Sequence, residues 1–186
     1  MTRDLEVRAD PRVDVTQADY DAQWALLGEI GSTMERLADR MDALLSTRRQ
    51  VNSVKGVVVD AGLEPADLTA VNDAADSIVT KLTGVQEEMQ QTESTSFYDP
   101  LDKPGRLAAH LAHLYGLVAG GGFGSAVNSR PTDASYDRYR ELQGEADEVL
   151  RRLQVILETD VAAFNDLLQR LNLAPVVVKQ ERRGVS

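Results

Sequence analysis

Apolar residues recur at helical spacing along most of this chain, and breaks in their phase mark where one helix gives way to the next. The clearest run is Leu68, Val71, Ala75, Ile78, Leu82, Val85 and Met89, stepping three and four in alternation. These steps place all seven on one stripe of a helix, with Asp, Gln and Glu opposite, as in a coiled-coil seam. Pro65 suits the first helical position, and the helix is expected to end near Gln91-Thr92.

Upstream, Tyr20, Trp24, Leu27, Met34, Ala38, Met41 and Leu45 keep a four-three alternation with Gly31 filling one step. Ile30, Leu37 and Leu44 widen the stripe, and Val51, Val54, Val57 and Val58 prolong it. Thr16 or Asp14 can cap the start, with Asp19 and Asp21 in the first turn against the positive end of the helix dipole. Gly62 reads as the stop. The helix is about 45 residues, or roughly 65 Å, long. Gly28, Gly31 and Gly56 weaken it, and a kink or break near Lys55-Gly56 is expected.

Residues Glu93 to Pro104 are polar and hold Pro100 and Pro104, with Phe97 and Tyr98 between them, so they read as a connection anchored by its aromatics. A third, shorter helix from about Gly105 to Ala119 carries Leu107, Leu111, Leu114 and Val118, and the glycine run Gly120 to Gly124 ends it. A last helix begins at Pro131-Thr132-Asp133. It carries Tyr136, Tyr139, Leu142, Ala146, Val149, Leu153, Ile156, Leu157, Val161, Phe164, Leu168 and Leu171, and stops at Asn172-Leu173-Ala174-Pro175. Two long and two shorter helices predict an all-α fold, an antiparallel four-helix bundle over residues 16–175. Residues 176–186 read as a flexible tail. Residues 1–15 differ: Leu5-Glu6-Val7-Arg8-Ala9 alternates like a half-buried strand before Asp10-Pro11 breaks it. A lone strand has no partner in a helical chain, so this extended segment predicts a β domain upstream.

Composition narrows the function classes. At 186 residues, with 42 % hydrophobic and 27 % charged residues, the chain suits one globular domain that buries roughly 70 % of its unfolded surface without a metal or disulfide. It contains no cysteine, which removes disulfide frameworks, thiolate catalysis and cysteine zinc sites. The net charge of −10 argues against nucleic acid as a partner. The basic pairs Arg48-Arg49, Arg151-Arg152 and Arg182-Arg183 read as solvated helix surface or tail. No apolar run approaches the roughly 18 residues of a membrane span.

Candidate chemistry is sparse. His110 and His113, the two histidines, stand at i and i+3, a spacing that can place two metal ligands on one face. No His-Glu-x-x-His pattern or third ligand accompanies them, so they read as surface residues. The glycine run lacks the preceding strand and following Lys-Ser/Thr of a phosphate loop, and reads as a helix connection. With 30 Asp and Glu, pairs such as Glu87-Glu88 arise without a glycosidase arrangement of two opposed carboxyls. Di-iron chemistry needs Glu-x-x-His motifs, which do not occur. No catalytic, cofactor-binding or metal-ligating residue is assigned, and no cofactor is implied.

Several segments carry a resemblance. Leu5 to Val13 resembles the closing strand of a small β domain, and Gln17-Ala18-Asp19-Tyr20-Asp21-Ala22-Gln23-Trp24 resembles the start of a long helix where Phe is more usual than Trp24. Asp99-Pro100-Leu101-Asp102-Lys103-Pro104-Gly105-Arg106-Leu107 resembles a loop that typically continues with Asn residues, where Ala108 and Ala109 stand here. Arg130 to Tyr136 and Glu158 to Asn165 fit the last helix. In this order and spacing they resemble the C-terminal helical module of bacterial sortilin-like or BNR-repeat β-propeller proteins named as glycosyl hydrolases. The resemblance implies an exported parent whose propeller and β domain are the partners of this module and hold any ligand site. It implies a non-catalytic structural or interaction module, and Met1 just ahead of a final strand fits a piece of a longer protein. Two alternatives stand beside it: a fragment of a sialidase-like glycoside hydrolase contributing one wall of a glycan site, and a free-standing scaffold that forms homo-oligomers through its long helices.

Overall fold

The computed structural model describes residues 14–92, 103–120 and 130–179. The N-terminal strand expected over Leu5 to Val13, the aromatics Phe97 and Tyr98, and Gly121 to Gly124 lie outside the described residues. The fold is an all-α helical bundle. Its elements are α1 (Gln17–Val59), α2 (Pro65–Met89), α3 (Leu107–Val118), α4 (Asp133–Val155), a π-helical turn (Ile156–Asp160) and α5 (Val161–Arg170). The last three are one uninterrupted rod.

Local chemistry sets the ends. Thr16 caps α1 with a reciprocal pair: its hydroxyl accepts from the Asp19 amide, and the Asp19 carboxylate accepts from the Thr16 amide at 3.0 Å. These bonds satisfy two orphan backbone donors of the first turn. The hydrogen bonds from Thr16 also hold the Asp19 carboxyl below its ordinary pKa. Thr132 caps α4 by accepting from the Ser135 amide at 3.2 Å. Gly62 takes φ +67 beyond α1, a left-handed conformation that costs glycine little. After α5, Asn172 takes φ 58 and the Leu173 amide donates back to the Leu168 carbonyl at 2.9 Å, the six-to-one bond of a Schellman ending.

Interhelical pairs give the directions. Lys55 reaches Asp76 and Arg48 reaches Gln86, so α2 runs antiparallel to α1. Tyr139 reaches Glu29 and Arg36 reaches Asp147, so α4 runs parallel to α1. The Gln23 side chain donates to the Val118 carbonyl at 2.6 Å, while Ala108 sits near Met34 and Met41. Thus α3 is also antiparallel to α1, along its N-terminal half. It follows α2 rather than lying beside it: the end of α2 at Met89 and the start of α3 at Ala108 line one concavity, and the Gln91 side chain donates to the Pro104 carbonyl at 3.1 Å. Four helices therefore fill three lanes: α1, α2 continued by α3, and the rod from α4 to α5.

This arrangement selects the core. The seam of α2 enters it from Val71 to Met89, and Leu107, Leu111, Leu114 and Val118 of α3 are buried. On α1 the buried residues are Leu26, Ile30, Thr33, Leu37, Ala43, Leu44, Thr47, Val51 and Val58. The positions read from the sequence as flankers, Ile30, Leu37 and Leu44, are thus the core. The four-three stripe from Tyr20 to Leu45 lies to one side: Leu27, Met34, Met41 and Leu45 are half-buried, and Trp24 is 78 % exposed. The lane of α2 and α3 covers one side of α1 and the rod from α4 covers another, so the most enclosed face falls between them. α1 runs without a break through Gly56, as one helix from Gln17 to Val59.

The π turn has a cause in the sequence. Buried positions on the last rod recur as Tyr139, Leu142, Ala146, Val149 and Leu153, and then as Val161, Phe164 and Leu168. The step from Leu153 to Val161 is one residue longer than a heptad. In a regular helix that extra residue would rotate everything after it by about 100° out of the core. A turn of π-helix absorbs it, and both apolar runs stay on the same face. The described start of the tail is docked. Val176 is buried, its amide donates to Asn165 Oδ1 at 2.7 Å, and its carbonyl accepts from Asn165 Nδ2 at 2.9 Å. Val177 exchanges two bonds with the Gln50 side chain.

Candidate functional site

Among the described residues, a charged and an apolar concavity lie where α2 gives way to α3. The first is a cleft of about 340 Å³ between α2, α3 and α4, lined by the charged Glu88, Arg106, Glu145, Glu148 and Arg152, by His110, and by Gly105, Leu107 and Val149. It opens here because α2 has ended and α3 has barely begun.

At its floor Arg152 grips Glu88 through both terminal nitrogens, Nη1 to Oε1 at 2.8 Å and Nη2 to Oε2. Arg152 Nε has no hydrogen-bond partner and lies 3.7 Å from Glu148 Oε1. Glu148 is in turn held by Arg151 through two bonds of 3.0 and 2.8 Å. The fork from Arg152 lowers the Glu88 pKa, with the charges of Arg152 and Arg106 adding to it against burial and Glu148. The bond from Arg151 likewise lowers that of Glu148.

A general acid for glycoside cleavage needs a carboxyl whose pKa is raised, so that it holds its proton near neutrality. Glu88 and Glu148 are shifted the other way and remain carboxylates. Their chemistry is that of a clamp joining α2 to α4, and a bidentate arginine fork is the strongest form of such a pair.

The sequence candidates fall apart in space. His110 is exposed and lines the cleft; His113 is exposed and does not. Glu88 enters the clamp while its neighbour Glu87 faces solvent. Among the described residues no group of three or more His, Cys, Asp or Glu gathers where a metal ion could be held. Of the basic pairs expected as solvated surface or tail, Arg182-Arg183 lies outside the described residues and the other two divide: Arg49 and Arg151 are exposed, whereas Arg152 turns to Glu88 and Arg48 turns to Gln86 at 2.5 Å. Helical periodicity explains the split, because adjacent residues stand about 100° apart and only one of each pair can face a neighbour.

The second concavity is apolar. It occupies about 510 Å³ between α1, the end of α2 and the start of α3, and is lined by Met34, Leu37, Ala38, Met41, Leu45, Met89 and Ala108, with Asp42 and Gln90 at its edge. It uses the part of the α1 stripe that the core leaves uncovered. The spacing of the stripe points to the bundle interior, whereas Leu27, Met34, Met41 and Leu45 are only half-buried. Its regular 3.5-residue period beside a second, fully buried stripe on the same helix was the signal that two faces were present. No helix among the described residues is long and apolar enough to cross a membrane. Compared with known protein families, with curated proteins and with solved structures, the chain matches none.

Proposed function

We propose that this chain is a non-catalytic helical interaction module. The observation that carries the reading is the contrast between the two concavities. The polar one holds its carboxylate Glu88 in the fork of Arg152, whereas the apolar one leaves Met34, Met41 and Leu45 half-buried and Ala38 exposed, without a covering helix among the described residues. Binding surfaces are concave and mostly apolar with a few polar groups at the edge. Methionine side chains adapt to varied partners.

The resemblance to propeller proteins extends the proposal to a parent in which the module packs against or spaces a propeller and its β domain. Hydrolysis of aryl glycosides and sialosides by the isolated chain, followed by release of the chromophore, tests the central claim. The expected result is no turnover above buffer. Turnover that Glu88→Gln or Glu148→Gln abolishes, with the fold intact by circular dichroism, would refute it. For the parent, propeller repeats in the reading frame upstream of Met1 are expected, and a frame without them removes that extension.

A further inference from the structure

We infer that the methionine-lined groove of α1 receives a basic amphipathic helix, an inference that rests on reading the chain as an interaction module and names the chemistry of its partner.

Shape comes first. Met34, Ala38, Met41 and Leu45 step four, three, four along α1 and form one stripe about 17 Å long, about three helical turns. A period of 3.5 residues suits a second helix laid along the first, since it keeps the seam facing a partner. In the core the bundle already supplies that partner on the neighbouring face of α1. Along this stripe α2 ends at Met89 and α3 contributes Ala108, whose small side chain leaves the floor open. Apolar anchors three and four residues apart on an incoming helix match such a groove.

Charge selects among helices. On the solvent flank of the stripe stand Glu35, Asp39 and Asp42, spaced so that all three share one side of α1. Asp42 meets Lys179 at 3.3 Å, while Glu35 and Asp39 have no ion-pair partner among the described residues. The chain as a whole carries −10. An acidic edge beside an apolar floor attracts a helix with Lys or Arg flanking its apolar face, and it repels a second copy of this acidic chain.

The probe is a synthetic 18-residue helix with leucine along one face and lysine elsewhere, titrated into the full chain by calorimetry, with a control in which glutamate replaces every lysine. The lysine peptide is expected to bind with a micromolar Kd and one site, and the glutamate peptide at least tenfold more weakly. Ala38→Trp, at an exposed position that still lines the groove, should abolish binding without disturbing the core. The triple charge reversal Glu35→Lys, Asp39→Lys, Asp42→Lys should weaken it at least tenfold, with thermal unfolding checking that both variants fold. Equal binding of the two peptides, or binding indifferent to Ala38→Trp, overturns the inference. So does a dimer in sedimentation that Ala38→Trp dissociates, which makes a second copy the occupant. Lysine-peptide binding that appears only after Phe97→Ser and Tyr98→Ser also overturns it, because the chain's own 93–102 segment is then the competitor. Each of these results leaves the glycoside assay untouched, so loss of this inference is distinguishable from loss of the interaction-module reading.

Discussion

Thr33 and Thr47 lie two heptads apart on α1, are both buried in the core, and offer the same substitution with opposite outcomes. The Thr33 hydroxyl donates to the Glu29 carbonyl at 3.1 Å and lies 3.0 Å from the Tyr139 hydroxyl, which donates to that same carbonyl at 3.0 Å. The Thr47 hydroxyl is fully buried and has no hydrogen-bond partner. Valine matches threonine in shape and nearly in helix propensity, so Thr→Val isolates the hydroxyl. At position 33 it removes a made hydrogen bond, a loss of about 1 kcal/mol, moderated because Tyr139 keeps its bond to Glu29. At position 47 it removes a desolvated hydroxyl that folding never repaid, a gain of about 1 kcal/mol or somewhat more. The two variants should therefore differ by roughly 2 kcal/mol, or about 4–8 °C in Tm for a chain of this size. Urea unfolding followed at 222 nm measures both, and unchanged m-values certify that the native and unfolded states are otherwise alike. Destabilisation by Thr47→Val, or the same sign for both variants, would refute the reasoning.

Three further predictions concern the helices and their joints. Gly56 lies in regular helix with open space where a Cβ would stand, so Gly56→Ala should stabilise the fold by about 0.5–1 kcal/mol in the same urea assay. Glu88 has a lowered folded pKa, so its contribution is complete above the ordinary glutamate range and fades as the pH falls through the lowered value. Glu88→Gln should cost no more than about 1 kcal/mol at neutral pH, because the pair is partly solvated, and should flatten the acid limb of a stability–pH profile. Asn165→Ala deletes both bonds that hold Val176; hydrogen exchange at the Val176 amide should accelerate at least tenfold while α4 amides keep their protection.

Much of this architecture is written in periodicity. Each helix start and stop lies within a few residues of its expected place because caps and breakers act locally: Thr16 before α1, Pro65 at the head of α2, Thr132 before α4 and Gly62 after α1. The seams of α2 and α3 entered the core as their spacing predicted. The cleft and the groove were not legible, since both arise from pairs such as Glu88 and Arg152 that are 64 positions apart, and a helical stripe states only which residues share a face. What the sequence determined by itself was therefore an all-α chain, its helix ends and the set of faces available for burial. Tertiary packing decided which face of α1 was buried, because placing α2 and α3 end to end enclosed Leu26, Ile30 and Leu37 and left Met34, Ala38 and Met41 beside an open groove. It also decided that the rod from α4 to α5 should carry a π turn, since only a fixed core on both sides of the extra residue makes that rotation necessary.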